Sequence, residues 1–228
     1  MKVSDRVYTG AQRVEALTDG VFAIVMTLLV LELSIPIITE DAVQTELLYR
    51  LGELLPELYS FALSFLVLGM LWSSHRVAFS FIRHSDSILV FLNIIFLMFV
   101  SLIPFSTALM GEYFLEKIPL IIYGANLMMT YILRFFIWNY ATGNYRLVDS
   151  DLECHVIRGD KIVWICALVI ILATMGIALI SATAATIVFY LMIVFLIVMF
   201  IRGRVLTFGR RATKKEEHSP KEDNSNGQ

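Results

Sequence analysis

The run IVWICALVIILATMGIALISATAATIVFYLMIVFLIVMFI, Ile162–Ile201, holds forty consecutive residues without an Asp, Glu, Lys, Arg or His. A membrane helix needs about 20 apolar residues to cross a hydrocarbon core of about 30 Å. At about 1.5 Å per residue, one straight helix of this length would run about twice that far. The chain must therefore fold back, and the small, polar stretch Ser181-Ala182-Thr183-Ala184-Ala185-Thr186 is the expected turn between a fifth and a sixth helix. Upstream, four more runs fit a crossing: Gly20–Ile38 with the single charge Glu32, Leu54–Phe79, the uncharged Ser87–Gly111, and Ile118–Tyr140 with the single charge Arg134.

Composition agrees. Of the 228 residues 58% are hydrophobic and 17% charged, against about 45–50% and 25% in a soluble domain, and the mean hydropathy is +0.75. A soluble enzyme is excluded. With a formal net charge of -2 and no basic stripe, a nucleic-acid partner is not expected. Long apolar runs lack the alternation of barrel strands, and open sheet edges cannot face lipid. The expected fold is an all-α membrane protein, six transmembrane helices in one bundle over residues 1–211, followed by a disordered polar tail, 212–228. Cys154 and Cys166 stand in no CxxC or Cys/His cluster, so neither a disulfide nor a metal or other cofactor is expected. The amino terminus does not read as a signal peptide, since Lys2, Asp5, Arg6, Arg13, Glu15 and Asp19 precede the first apolar run.

Loop charge orients the bundle. With the amino terminus inside, fifteen of the eighteen Lys and Arg residues fall on the cytoplasmic side and only Arg50 and Lys117 outside. Both termini are expected in the cytoplasm, in a multi-pass protein of the cell membrane. The segment Thr39–Glu53 reads as an outer loop with a partial interfacial helix, because Leu47, Leu48, Leu51 and Leu55 recur at helical spacing.

Polar groups inside apolar helices are costly and point to pairing or function. Thr18 and Asp19 at the head of helix one read locally as caps of a helix amino terminus. Trp72 and His75 end helix two, where an interfacial role is the plain alternative. Asn93 on helix three reads as interhelical glue, with Pro104 kinking the helix beyond it. Arg134 is expected to snorkel from helix four to the cytoplasmic interface. On a wheel of 100° per residue, Leu28 and Leu31 lie within about 40° of Ile24, Thr27 lies about 60° to the side, and Asp19 about 140° away, pointing into the bundle. Such a stripe alone leaves core, lipid face and pore open.

Together these places resemble the endosomal and lysosomal potassium-channel family, transmembrane protein 175. Arg13-x-x-x-Leu17-Thr18-Asp19 is similar to its Arg-x-x-x-Phe-Ser-Asp signature, Trp72-x-x-His75 to its helix-two motif, and Asn93 followed by Pro104-Phe105 to its helix three. The resemblance spans roughly residues 8–208. It implies a channel for potassium and other monovalent cations, a homotetramer in the lipid bilayer with helix one lining a central pore. Ile24, Leu28 and Leu31 would form the hydrophobic constriction and Thr27 the selectivity hydroxyl layer. Arg13, Thr18, Asp19, Trp72, His75 and Asn93 would tie helices one to three together. Leu17 departs from the family's Phe and loses a ring. Thr18 replaces Ser and keeps the hydroxyl, and Ala23 stands where some members carry Ser.

Glu32, near the outer end, would draw cations to the mouth or pair at the interface. No Thr-Val-Gly-Tyr-Gly filter occurs. A secondary transporter or proton-coupled permease, using His75 and Asp19 as a relay, is the alternative reading. An enzyme is not expected, since no nucleophile–base pair or HExxH spacing is present.

Overall fold

Without water, a backbone satisfies its N–H and C=O groups most directly within a helix. The computed structural model of the chain, which describes residues 9–181, 183–189 and 191, is built that way. Up to Ile180 the described residues form seven α-helices: α1 (Gln12–Leu28), α2 (Val43–Glu53), α3 (Leu55–Phe79), α4 (Ser87–Ser101), α5 (Ile103–Glu112), α6 (Lys117–Thr142) and α7 (Cys154–Ile180). Two-residue strands β1 (Thr9–Gly10) and β2 (His84–Ser85) pair antiparallel ahead of α1. Among the described residues, five helical segments are long and apolar enough to cross a membrane: Gln12–Glu32, Leu55–Phe79, Ser87–Glu112, Lys117–Tyr145 and Cys154–Ile180.

The long apolar run does break at its polar stretch. α7 ends at Ile180, Ser181 is extended (φ -144°, ψ 112°), and residues 183–189 are helical again. The Ser181 hydroxyl accepts from the Ala184 N–H at 3.3 Å, as a capping side chain does. The rest of the expected sixth helix and the 212–228 tail lie outside the described residues.

Helix three is split by its proline. Pro104 sits in the first turn of α5, just after the break at Leu102, where its missing N–H does least harm. α2 carries no buried residue and exposes Leu47, Leu48 and Leu51, so it stands off the bundle as an amphipathic helix. The segment thus takes the helical form expected between Thr39 and Glu53.

Three expectations change. Thr18 and Asp19 do not cap a helix: α1 starts at Gln12, after the β1–β2 ladder has set the chain's entry, and both residues lie more than one turn inside. The first crossing does not run helically to Ile38. α1 gives way at Leu29–Glu32 to a 3₁₀ turn and the chain is extended at Leu33. Pro36 disfavours helix in the residue before it, and the Ser34 N–H is bound by Glu57 Oε2 at 3.0 Å. Arg134 does not snorkel either. It is wholly buried, because Asp160 and two tryptophan faces surround its head within the bundle.

α6 is the most buried crossing, with α4, α5 and α7 packed around it, while α1 lies on α3 and α4. The Ser64, Thr107 and Tyr123 hydroxyls meet at 2.7 Å and 2.9 Å, joining α3, α5 and α6 in the core. Close helix approach depends on two glycines. A Cβ at Gly111 would stand 3.1 Å from the Glu57 Cα, and one at Gly124 would stand 3.0 Å from the Met175 Cγ. At Gly111 the obstacle is backbone and cannot swing aside. Gly111→Leu is expected to push α5 from α3 and cost about 1–3 kcal/mol, read as a lower melting temperature in detergent. Gly52→Ala, with open space at its Cβ, is expected to cause no loss.

Candidate pore-lining face and its clamp

α1 has two faces of different character. Val14, Thr18, Phe22, Val25 and, just beyond the helix, Leu29 are buried against the bundle. Opposite them, Leu17, Ile24, Leu28 and Leu31 are exposed at 51, 60, 40 and 73%. Leu31 lies in the 3₁₀ turn, where residues three apart eclipse, so it continues the line of Leu28. Beside this ridge runs an exposed edge of small residues, Ala16, Gly20, Ala23 and Thr27. The Thr27 hydroxyl donates to the Ile24 carbonyl at 2.8 Å, leaving its lone pairs to face outward.

The buried face is held by a directional chain of hydrogen bonds. Thr18 Oγ1 donates to the Val14 carbonyl at 2.9 Å, and so accepts from Asn93 Nδ2 at 3.0 Å. That leaves Asn93 Oδ1 turned to His75 Nε2 at 2.9 Å. An amide oxygen only accepts, so His75 carries its proton on Nε2 and donates. Thr18, His75 and Asn93 are each at most 1% exposed. The imidazole is stacked between Phe79, 4.2 Å away by ring centroids, and Phe96, at 5.3 Å. One side chain from each of α1, α3 and α4 thus meets its partners away from lipid.

Asp19 belongs to a separate pair. The Trp72 indole N–H donates to Asp19 Oδ1 at 2.7 Å, a short bond to a carboxylate. Asp19 is exposed on this chain, not turned into the bundle, and reaches the half-buried Trp72 of α3. Arg13 is also exposed and has no ion pair among the described residues. It borders a groove of about 200 Å3 between α1 and α4, with Val14, Leu17, Val90, Asn93 and Ile94. Arg13 falls within about 20° of Ile24 on the helical wheel, so it stands on the ridge rather than in the clamp. Glu32 is exposed at the opposite end and likewise has no ion pair among the described residues. No group of His, Cys, Asp and Glu fit to hold a metal occurs among the described residues.

Sequence reading missed what surrounds Arg134. A signal was present: Asp160 and Trp164, one turn apart near the start of the fifth crossing, offer a carboxylate and an aromatic face to a charge that lacks a partner on its own helix.

Residues 13–104, which hold the Thr18–Asn93–His75 chain, the Asp19–Trp72 pair and the whole ridge, match the family described as endosomal/lysosomal potassium channel TMEM175. The chain is 31% identical over 174 residues to a protein of Streptomyces collinus named as a potassium channel, covering 75% of this chain and 83% of the relative. It is 33% identical over 147 residues to a Chamaesiphon minutus protein also named as a potassium channel, covering 63% and 71%. Its fold superposes with a TM-score of 0.73 on the crystal structure of a lysosomal potassium-selective channel TMEM175 homolog from Chamaesiphon minutus, at 26% identity over 83% of this chain and 97% of that one. Animal relatives named as endosomal/lysosomal proton channels also match, with this chain spanning about a fifth of their length. A multi-pass helical bundle with these matches belongs to the TMEM175 family of cation channels.

Proposed function

We propose that the protein conducts potassium and other monovalent cations through a pore on the axis of a homotetramer in the cell membrane, with both termini cytoplasmic. The observation that carries this reading is the pairing of faces on α1. One face is locked into the bundle by buried polar bonds, while the other presents an unpartnered aliphatic ridge beside a small-residue edge. Small residues favour close helix approach in membranes. Copies of α1 meeting along Ala16, Gly20, Ala23 and Thr27 would turn Leu17, Ile24, Leu28 and Leu31 toward a common axis.

A narrow apolar ring holds neither water nor a hydrated ion readily, and gates by dewetting. Ile24 is the proposed constriction, with Leu28 and Leu31 as further layers. The Thr27 lone pairs, one turn outward, replace part of an ion's hydration. In the absence of a Thr-Val-Gly-Tyr-Gly loop, this side-chain layer stands in for a carbonyl filter. Glu32 supplies negative charge at the outer mouth. Thr18, Asn93, His75, Asp19 and Trp72 hold α1 against α3 and α4 from behind the pore. Among the described residues no hydrogen bond joins Asp19 to His75, which deprives the permease alternative of a direct relay.

Recording from the purified protein in planar bilayers, with potassium on one side and sodium on the other, tests the reading. Discrete conductance steps reversing toward the potassium potential are expected, and saturable coupled flux without steps would overturn it. Ile24→Ala is expected to raise the closed-state leak, and an unchanged leak would remove Ile24 from the constriction. Asn93→Leu is expected to lower stability by roughly 1–3 kcal/mol, since two interhelical bonds go and His75 loses its acceptor. Combined with Thr18→Val, the loss should be smaller than the sum of the two. Asp19→Ala is expected to lower the yield of assembled channel and leave the reversal potential in place.

A further inference from the structure

Arg134 is the one Arg, Lys, Asp or Glu wholly buried among the described residues, and the conduction pathway proposed above does not use it. Its Nη2 donates to the Ser74 carbonyl on α3 at 3.3 Å and lies 3.5 Å from Asp160 Oδ1 on α7. The guanidinium carbon sits over the rings of Trp164 and Trp138, 5.1 Å and 5.9 Å from their centroids. The Trp164 indole donates to the other Asp160 oxygen at 3.1 Å, so the carboxylate is aimed as well as paired. Nε and Nη1 have no hydrogen-bond partner among the described residues.

A leucine or methionine would fill this space without a buried, half-satisfied charge, and replacing buried ion pairs by apolar groups is often neutral or stabilising. Stability alone is a weak reason for an arginine here. What the arginine adds is a link: α7 packs on the bundle through α6, and Arg134 joins Asp160 on α7 to the Ser74 carbonyl on α3. The next residue, His75, begins the chain through Asn93 to Thr18 on α1.

We propose that Arg134, held by Asp160, is a positioning residue for channel gating: it fixes the Ser74–His75 segment and so couples α6 and α7 to the clamp on α1. This rests on the conduction reading above. Arg134 shares none of its contacts with the ridge, so it acts on the balance between open and closed α1 and not on the path of the ion.

Arg134→Lys keeps a positive charge but replaces the planar guanidinium, whose Nη2 alone meets both Ser74 and Asp160 and whose face lies over Trp138 and Trp164, by a point charge on a different stem. In single-channel records it is expected to change open probability by roughly two- to thirtyfold, with unitary conductance and reversal potential unchanged. A merely structural role would reduce the number of channels and leave the open probability of each as before. In an Asn93→Leu background, where the chain is already cut, the same substitution is expected to have no further effect on open probability. Additive effects, an unchanged open probability or a shifted reversal potential would each overturn the proposal. If Arg134→Lys does not assemble, Asp160→Asn carries the same test with the same expected outcomes. Where the wild-type protein shows no conductance steps, the conduction reading fails on its own. The coupling is then read by hydrogen exchange of residues 14–22, expected to speed up in either variant. Unchanged exchange would overturn it.

Discussion

Asn93 is buried in an apolar helix, where an amide left without protein partners is costly. It finds them by donating to Thr18 on α1 and accepting from His75 on α3, both within 3.0 Å. Because the Thr18 hydroxyl proton is already committed to Val14, the chain runs in only one direction, and each of the three side chains has one productive orientation. Aliphatic packing alone would let α1 rotate or slide with little penalty, since one apolar contact replaces another. The polar chain removes that freedom. It sets which face of α1 is inward, and therefore which residues form the outward ridge.

Thr18 is accordingly the one polar side chain on the buried face of α1, and beyond Arg13 the ridge is aliphatic. Thr18 shares its face with Val14, Phe22 and Val25, all buried, while Leu17 and Ile24 are held outward. Asp19 and Trp72 add a second tie at the rim. At the other end of the crossing, the 3₁₀ turn at Leu29–Glu32 and the Glu57–Ser34 bond anchor the exit of the helix. α1 is thus fastened near both ends, with its middle, around Ile24, presented between them.

The rest of the bundle acts as a frame for this helix. α6 is the most buried crossing, and its face bearing Tyr123, Asn126, Thr130 and Arg134 is buried. A bundle whose helices approached only through large side chains would place α3 farther from α5. Gly111 lets the Glu57 backbone come close, and Glu57 is the residue that holds Ser34.

The number of the first five crossings, the extent of the second, third and fourth, the split at Pro104, the stand-off helix before Glu53 and the break after Ile180 were legible from residue order, because chain length per crossing and the lack of water at the bilayer centre leave few alternatives. Thr18, Asp19, Trp72, His75 and Asn93 stood out too, as polar or hydrogen-bonding side chains within or at the edge of apolar runs. Their partners did not. The helical wheel turns Asp19 inward, and position at the head of the helix makes both Thr18 and Asp19 read as caps, yet Asp19 is exposed against Trp72 and Thr18 is buried against Asn93, because pairing depends on where α3 and α4 lie relative to α1. Arg134 shows the same limit: its distance from the interface along the chain suggested snorkelling, while the three-dimensional approach of α7 enclosed it with Asp160 and Trp164. Local chemistry decides that a chain crosses the membrane and roughly where; which polar groups meet is decided by contacts between residues as far apart as Thr18 and Asn93, and those exist only once the helices have packed.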